Sequence, residues 1–196
     1  MNDLNKLSKE ESLSKSARVV HLGILIFGIF AMFTGEMADD YKKVVHNGYE
    51  LHLMLGIGLA MFIMIRGITG IFGSKVVRFT QWLPCTKERI AWVLEDIRGL
   101  LRFKLPDRPV HRGLSGVVEG FGLLAFFWMA ATGVLLALTI TPGQKAVGIA
   151  HAIKEAHEAG MAFLVLFLAM HVGAVILHAI AGKHIWKKAF FLKYEE

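Results

Sequence analysis

The chain has 196 residues, 55% of them hydrophobic, and a mean hydropathy of +0.51. That composition excludes an ordinary soluble domain, and the single cysteine, Cys85, excludes an internal disulfide framework. The net charge of +6 is distributed as a topology signal, so nucleic acid is not an expected partner.

A polar, mixed-charge tail over residues 1–17 comes first. A helix of about 20 apolar residues crosses the roughly 30 Å hydrocarbon layer. Four segments reach that length, at about 18–35, 49–72, 113–140 and 157–182. Backbone groups in lipid must be satisfied within the segment, so each run reads as a helix. No small-residue cleavage site follows the first run, which is therefore expected to span rather than to be removed. Between the second and third runs, Ile90, Val93, Leu94, Ile97, Leu100 and Leu101 recur at helical spacing between Thr86 and Phe103. Pro84 and Pro106 bracket this stretch. It predicts an amphipathic helix on the membrane surface, with Trp92 and the basic residues at the headgroups, a docking surface for a partner being the alternative. A tail over 183–196 ends the chain.

Lys and Arg number four in the first tail (through Arg18), nine between Lys75 and Arg112, and four from Lys183 onward. The other two connections hold only Lys42, Lys43, Lys145 and Lys154. The positive-inside rule places both termini and the long connection in the cytoplasm.

Histidine placement then carries chemistry. His21 opens the first run, His52 the second and His157 the fourth. His171 lies fourteen residues beyond His157, close to four turns and roughly 21 Å along one helix face. With the orientation above, His52 and His157 share an outer layer, and His21 and His171 an inner one. Ionisable side chains inside a membrane are costly and usually functional. Two neutral imidazoles on opposite faces of a porphyrin give six-coordinate iron, which suits electron transfer rather than oxygen binding. Two such layers predict two stacked b haems forming an electron path across the bilayer. No C-x-x-C-H motif exists for covalent attachment.

Other readings stand beside this one. Zinc wants three or four ligands converging at one depth, and a proton relay also uses histidine chains. His46, His151 and His184 read as interfacial. His178, seven residues past His171, is an alternative inner ligand or a group near a propionate or quinone. Arg66, fourteen residues past His52, falls near the depth of His171. It would pair with a haem propionate or snorkel to the surface. Glu119 would pass protons to a quinone or pair with Arg66. Gly28, Gly56 and Gly160 allow either a flat macrocycle or a neighbouring helix to approach.

Two stretches carry a resemblance. One runs from His52-Leu-Met-Leu-Gly56 to Met64-Ile-Arg66-Gly67-Ile-Thr-Gly70-Ile-Phe-Gly73-Ser74-Lys-Val-Val-Arg78-Phe79. The other is the H-x13-H spacing of His157 and His171. From about residue 17 onward the chain resembles the bacterial cytochrome b561 and nickel–iron hydrogenase cytochrome b family, which includes formate dehydrogenase gamma subunits. The resemblance implies an all-α four-helix membrane bundle in the cytoplasmic (inner) membrane, with two b haems. It also implies a site for menaquinone or ubiquinone near the inner haem, at the start of the third span. There Val110-His111-Arg112-Gly113-Leu114-Ser115-Gly116 is similar to the family's G-H-N-P-L-G segment, with His111 as the contact. Arg112 and Gly113 stand where Asn and Pro are usual, and Val110 replaces a glycine. Leu22 follows His21 where the family commonly has Trp.

The expected function is electron exchange between the quinone pool and an outer-face redox partner: a hydrogenase, a formate dehydrogenase or other molybdenum enzyme, or a multihaem cytochrome c. A stand-alone superoxide:quinone oxidoreductase is the alternative. The outer acids Glu36, Asp39, Asp40 and Glu50 disfavour steering of an anion there. A haem-free transporter is the third reading.

Overall fold

The computed structural model describes residues 14–38, 47–75, 77–108, 111–141 and 144–190. The first tail through residue 13, the connection carrying Asp39, Asp40, Lys42, Lys43 and His46, and Val110 lie outside the described residues. Those described form helices α1 (Lys15–Ala38), α2 (Asn47–Phe72), α3 (Phe79–Trp82), α4 (Lys87–Leu100), α5 (Leu114–Thr139) and α6 (Ile149–Ile180). A 3-10 turn follows at Ile185–Lys188. α1, α2, α5 and α6 are each long and apolar enough to cross a membrane.

Local chemistry sets the helix ends. The Ser14 hydroxyl accepts the Ala17 N–H at 3.2 Å, a cap that starts α1 inside what reads as the polar tail. α2 stops where the Arg78 guanidinium donates to the Gly73 carbonyl, at 2.8 Å from Nη2. α4 starts after Thr86, whose extended backbone and hydroxyl cap the Arg89 N–H at 3.3 Å. It ends earlier than Phe103, where the backbone turns left-handed at φ 56°.

The fourth span departs most from its hydropathy. α6 begins at Ile149, eight residues before His157. Polar residues interrupt the apolar run there, but Lys154–Glu158 at 2.7 Å and His151–Glu155 at 3.8 Å pair one turn apart and support the helix. His157 thus stands two turns inside α6 rather than at its opening. The 32 residues of α6 make it about 48 Å long.

The chain forms two compact units. The second unit comprises Val20–Ile65 and Leu123–Leu166. Its buried core includes Val20, Ala31, Leu59, Ile63, Ala125, Phe126 and Leu164. α1 and α2 meet there through glycine. The Phe62 ring lies where Gly23 would carry a Cβ, and the Phe27 ring does the same at Gly58. Small residues let helices approach in this way. The first unit comprises Met1–Val19, Arg66–Gly122 and Phe167–Glu196. Buried in it are Arg66, Val77, Trp82, Asp96 and Phe167.

Asp96 joins α4 to the start of α5 within that unit. Its carboxylate accepts from Arg108 Nε at 2.7 Å and from the Leu114 backbone N–H at 2.9 Å. A carboxylate at a helix N-terminus satisfies an orphan amide and complements the dipole. Trp92 lies 5.8 Å from the Arg108 guanidinium and 5.9 Å from that of Arg112. Its ring therefore faces these two cations. The outward surfaces of the spans are apolar: Phe33 is 71% exposed, Met54 71% and Leu138 78%. Contiguous apolar surface of this kind fits lipid.

Candidate functional site

His52 on α2 and His157 on α6 face each other in the second unit. Their ring centroids are 6.2 Å apart and the ring planes cross at 84°. His52 Nδ1 lies 3.0 Å from the Ala31 carbonyl and 3.3 Å from Thr34 Oγ1. The carbonyl only accepts, so Nδ1 carries the proton. His157 Nδ1 lies 2.8 Å from Thr132 Oγ1. That hydroxyl already donates to the Trp128 carbonyl at 2.7 Å, so it accepts from His157. Each ring is left with an Nε2 lone pair, the form in which histidine ligates a metal.

This donor set fits haem. Both rings keep one unprotonated nitrogen and lie close together, with centroids 6.2 Å apart. Among the described residues no three of His, Cys, Asp and Glu gather as a metal site. A pair of neutral imidazoles, His52 and His157, would instead hold a haem iron, which would supply a one-electron carrier there. Trp128 Nε1 donates to the Ala156 carbonyl at 2.7 Å and fixes α6 beside His157.

A second cluster lies in the first unit. Buried Arg66 donates from Nη2 to Glu119 Oε1 at 3.2 Å and from Nη1 to the Val77 carbonyl at 3.2 Å. Its guanidinium sits 5.2 Å from the Phe79 ring centre and 5.9 Å from that of Trp82. The other Glu119 oxygen is hydrogen-bonded to His111 Nδ1. His111 packs on Trp82, with ring centroids 5.8 Å apart and planes tilted by 33°. Glu119 is therefore the anion that Arg66 meets in this structure.

The remaining histidines divide clearly. His171 stacks on Phe167 one turn earlier in α6, at 5.3 Å. The Phe167 ring occupies the space that a Gly122 side chain would take. His178 turns Nδ1 to the Ala174 carbonyl at 2.8 Å and Nε2 to the Pro106 carbonyl at 3.0 Å. Both nitrogens face backbone acceptors, so this conformation offers neither to a metal. His21 lies half-buried on α1 in the second unit. His151 and His184 are exposed. Outside the spans, the Lys183 ammonium pairs with Asp107 at 2.6 Å and holds that carboxyl below the usual carboxylate range.

The glycines separate as well. Gly160 accommodates Met129 and Trp128, and Gly28 sits against Phe126, so both serve helix packing. A Cβ on Gly56, one turn past His52, would meet nothing within 4 Å. Thr34, Thr132 and Trp82 are functional candidates that histidine spacing did not bring out. Their signal was a hydroxyl within an apolar span, or a tryptophan beside Pro84.

Four apolar spans and a pair of neighbouring imidazoles are what a membrane b-type cytochrome would carry. The chain belongs to the prokaryotic cytochrome b561 family, whose model matches residues 12–191. Membership brings haem b binding and electron transfer in the membrane. No curated protein and no solved structure matches the chain.

Proposed function

We propose that this protein is a dihaem cytochrome b that carries electrons across the inner membrane between quinone, on the cytoplasmic side, and a redox partner at the outer face. His52 and His157 hold the outer haem, and His21 and His171 the inner one. The carrying observation is the His52–His157 pair, whose Nδ1 protons are both held by neutral oxygen acceptors. The assignment of His21 and His171 rests on their helical register.

When bound, haem supplies the one-electron carrier; the chain's residues bind, orient and insulate it. Thr132 and the Ala31 carbonyl fix the two ligand rings and their tautomers. The apolar spans exclude water from the electron path. Arg66, Glu119 and His111 put charge and a titratable ring in the unit that also holds His171, and the quinone site belongs with them. Both termini and α4 face the cytoplasm by the Lys/Arg distribution. The exposed stripe of Ile90, Leu94 and Ile97 on α4, continued by Leu101 just past its end, lies against the cytoplasmic leaflet.

A pyridine haemochrome assay with a redox titration of the purified chain tests this reading. Two b haems per chain with two resolved potentials are expected. One haem, or none, would overturn it.

A further inference from the structure

We propose that His111 takes the proton from a bound quinol and relays it to Glu119; this deepens the quinone reading above and rests on it. His111 Nε2 is buried and has no hydrogen-bond partner among the described residues, although only 11% of the side chain is exposed. Buried polar nitrogens in folded proteins are normally paired. A histidine serving only a hydrogen bond to Glu119 would not need its second nitrogen enclosed and unmatched.

Two further features fix that ring. The backbone at His111 has φ 66°, in the left-handed region that non-glycine residues seldom adopt. Such conformations collect at functional sites. The ring is clamped between Trp82 on one side and Glu119 at Nδ1. Glu119 is in turn held by Arg66. The sequence thus spends a buried cation, a half-buried anion and a strained turn on presenting one nitrogen.

The chemistry follows from the tautomer. With Nδ1–H donating to the carboxylate, Nε2 carries the lone pair and is a base. A quinol hydroxyl gives its proton to Nε2 as the Nδ1 proton moves to Glu119 Oε2. The O–H bond breaks, an N–H bond forms, and the electrons released pass singly to the bound haems. Glu119, whose side chain is 26% exposed, then releases its proton to solvent and the ring returns to the Nδ1–H form. Two such cycles convert quinol to quinone, with two protons delivered to solvent and two electrons to the haems. Quinone reduction uses the same line in reverse.

The test uses the full-length, haem-loaded chain in lipid nanodiscs, with menadiol as reductant and haem absorbance as readout. His111→Gln is expected to slow menadiol-driven haem reduction about a hundredfold. Its haem-to-protein ratio and reduction by dithionite should be unchanged. Glu119→Gln is expected to lower the maximal rate about tenfold, with little change in the half-saturating menadiol concentration and an altered solvent deuterium isotope effect. Rates within about threefold of the native chain for His111→Gln would overturn the relay. If that variant loses haem, an unchanged rate and isotope effect in Glu119→Gln overturns it instead. A native chain reduced by dithionite but not by menadiol would sink the quinone reading itself, a distinct failure.

Discussion

Thr132→Val is the sharpest probe of the His52–His157 pair. Valine keeps the shape of threonine and removes the one hydroxyl oxygen, which lies 2.8 Å from His157 Nδ1. One hydrogen bond has a net value of about 0.5–1.5 kcal/mol. The bond makes the imidazole a stronger donor and favours ferric iron, so its loss raises the haem potential. For a one-electron couple, that energy corresponds to a rise of about 20–60 mV. Haem retention at this site should also weaken by about tenfold or more. Thr34→Val supplies the internal control. Its hydroxyl is farther from His52, at 3.3 Å, and the Ala31 carbonyl remains at 3.0 Å. The shift there should stay under about 20 mV. Spectroelectrochemical titration of both variants reads the difference. A downward shift in Thr132→Val, or a shift no larger than that of Thr34→Val, would refute the assigned tautomers.

Ligand substitutions should remove haems one at a time: His52→Ala or His157→Ala costs one, His21→Ala or His171→Ala the other, and His178→Ala neither, by haem-to-protein ratio. Asp96→Ala leaves Arg108 and the Leu114 N–H without their buried acceptor. Thermal unfolding in detergent should show a loss of about 1–3 kcal/mol, discounted because Arg108 remains partly solvated. Gly122→Leu should displace Phe167 and the His171 stacked on it, read as loss of one haem. The Lys183–Asp107 pair lowers the folded-state Asp107 pKa, so its contribution is present above the unfolded carboxylate value and fades as pH falls through the folded one. The melting difference between the native chain and Asp107→Asn should therefore be constant from about pH 5 to 8 and vanish in stronger acid. A difference that grew on acidification would contradict the pairing.

The spans were legible because lipid forces a simple rule: a long apolar run must satisfy its own backbone. The rule fails where polarity and helicity part company, as at residues 149–156. There α6 continues through a stretch that hydropathy ends, with the i,i+4 ion pair Lys154–Glu158 on its surface. Histidine spacing brought His52 and His157 forward, because both stand within apolar sequence near matched span ends. It could not show what their second nitrogens touch. Thr132 is 25 residues from His157 and Ala31 is 21 from His52, and no periodicity links such positions. The same limit applied to Glu119. Its pairing with Arg66 was one of two readings open in the sequence, and its bond to His111 across a left-handed turn was in neither.

That second nitrogen separates the two kinds of histidine in this chain. His52, His157 and His111 all direct Nδ1 to an oxygen. The acceptors of His52 and His157 are uncharged: a carbonyl and hydroxyls. An uncharged acceptor orients a ring without inviting its proton to leave, which suits a fixed metal ligand. The acceptor of His111 is a carboxylate, which can take that proton. A ring able to lose Nδ1–H to Glu119 as it gains a proton on Nε2 returns to neutrality within one step. Such a ring can relay protons without building charge in the membrane. Exchanging the acceptors should exchange the roles. Thr132→Glu would lower the haem potential well beyond the rise expected for Thr132→Val, since a carboxylate favours ferric iron far more than a hydroxyl does. Glu119→Thr should leave His111 able to bind quinol and unable to pass the proton on. A Thr132→Glu potential above that of the native chain would show that the acceptor's charge does not set the ligand's behaviour.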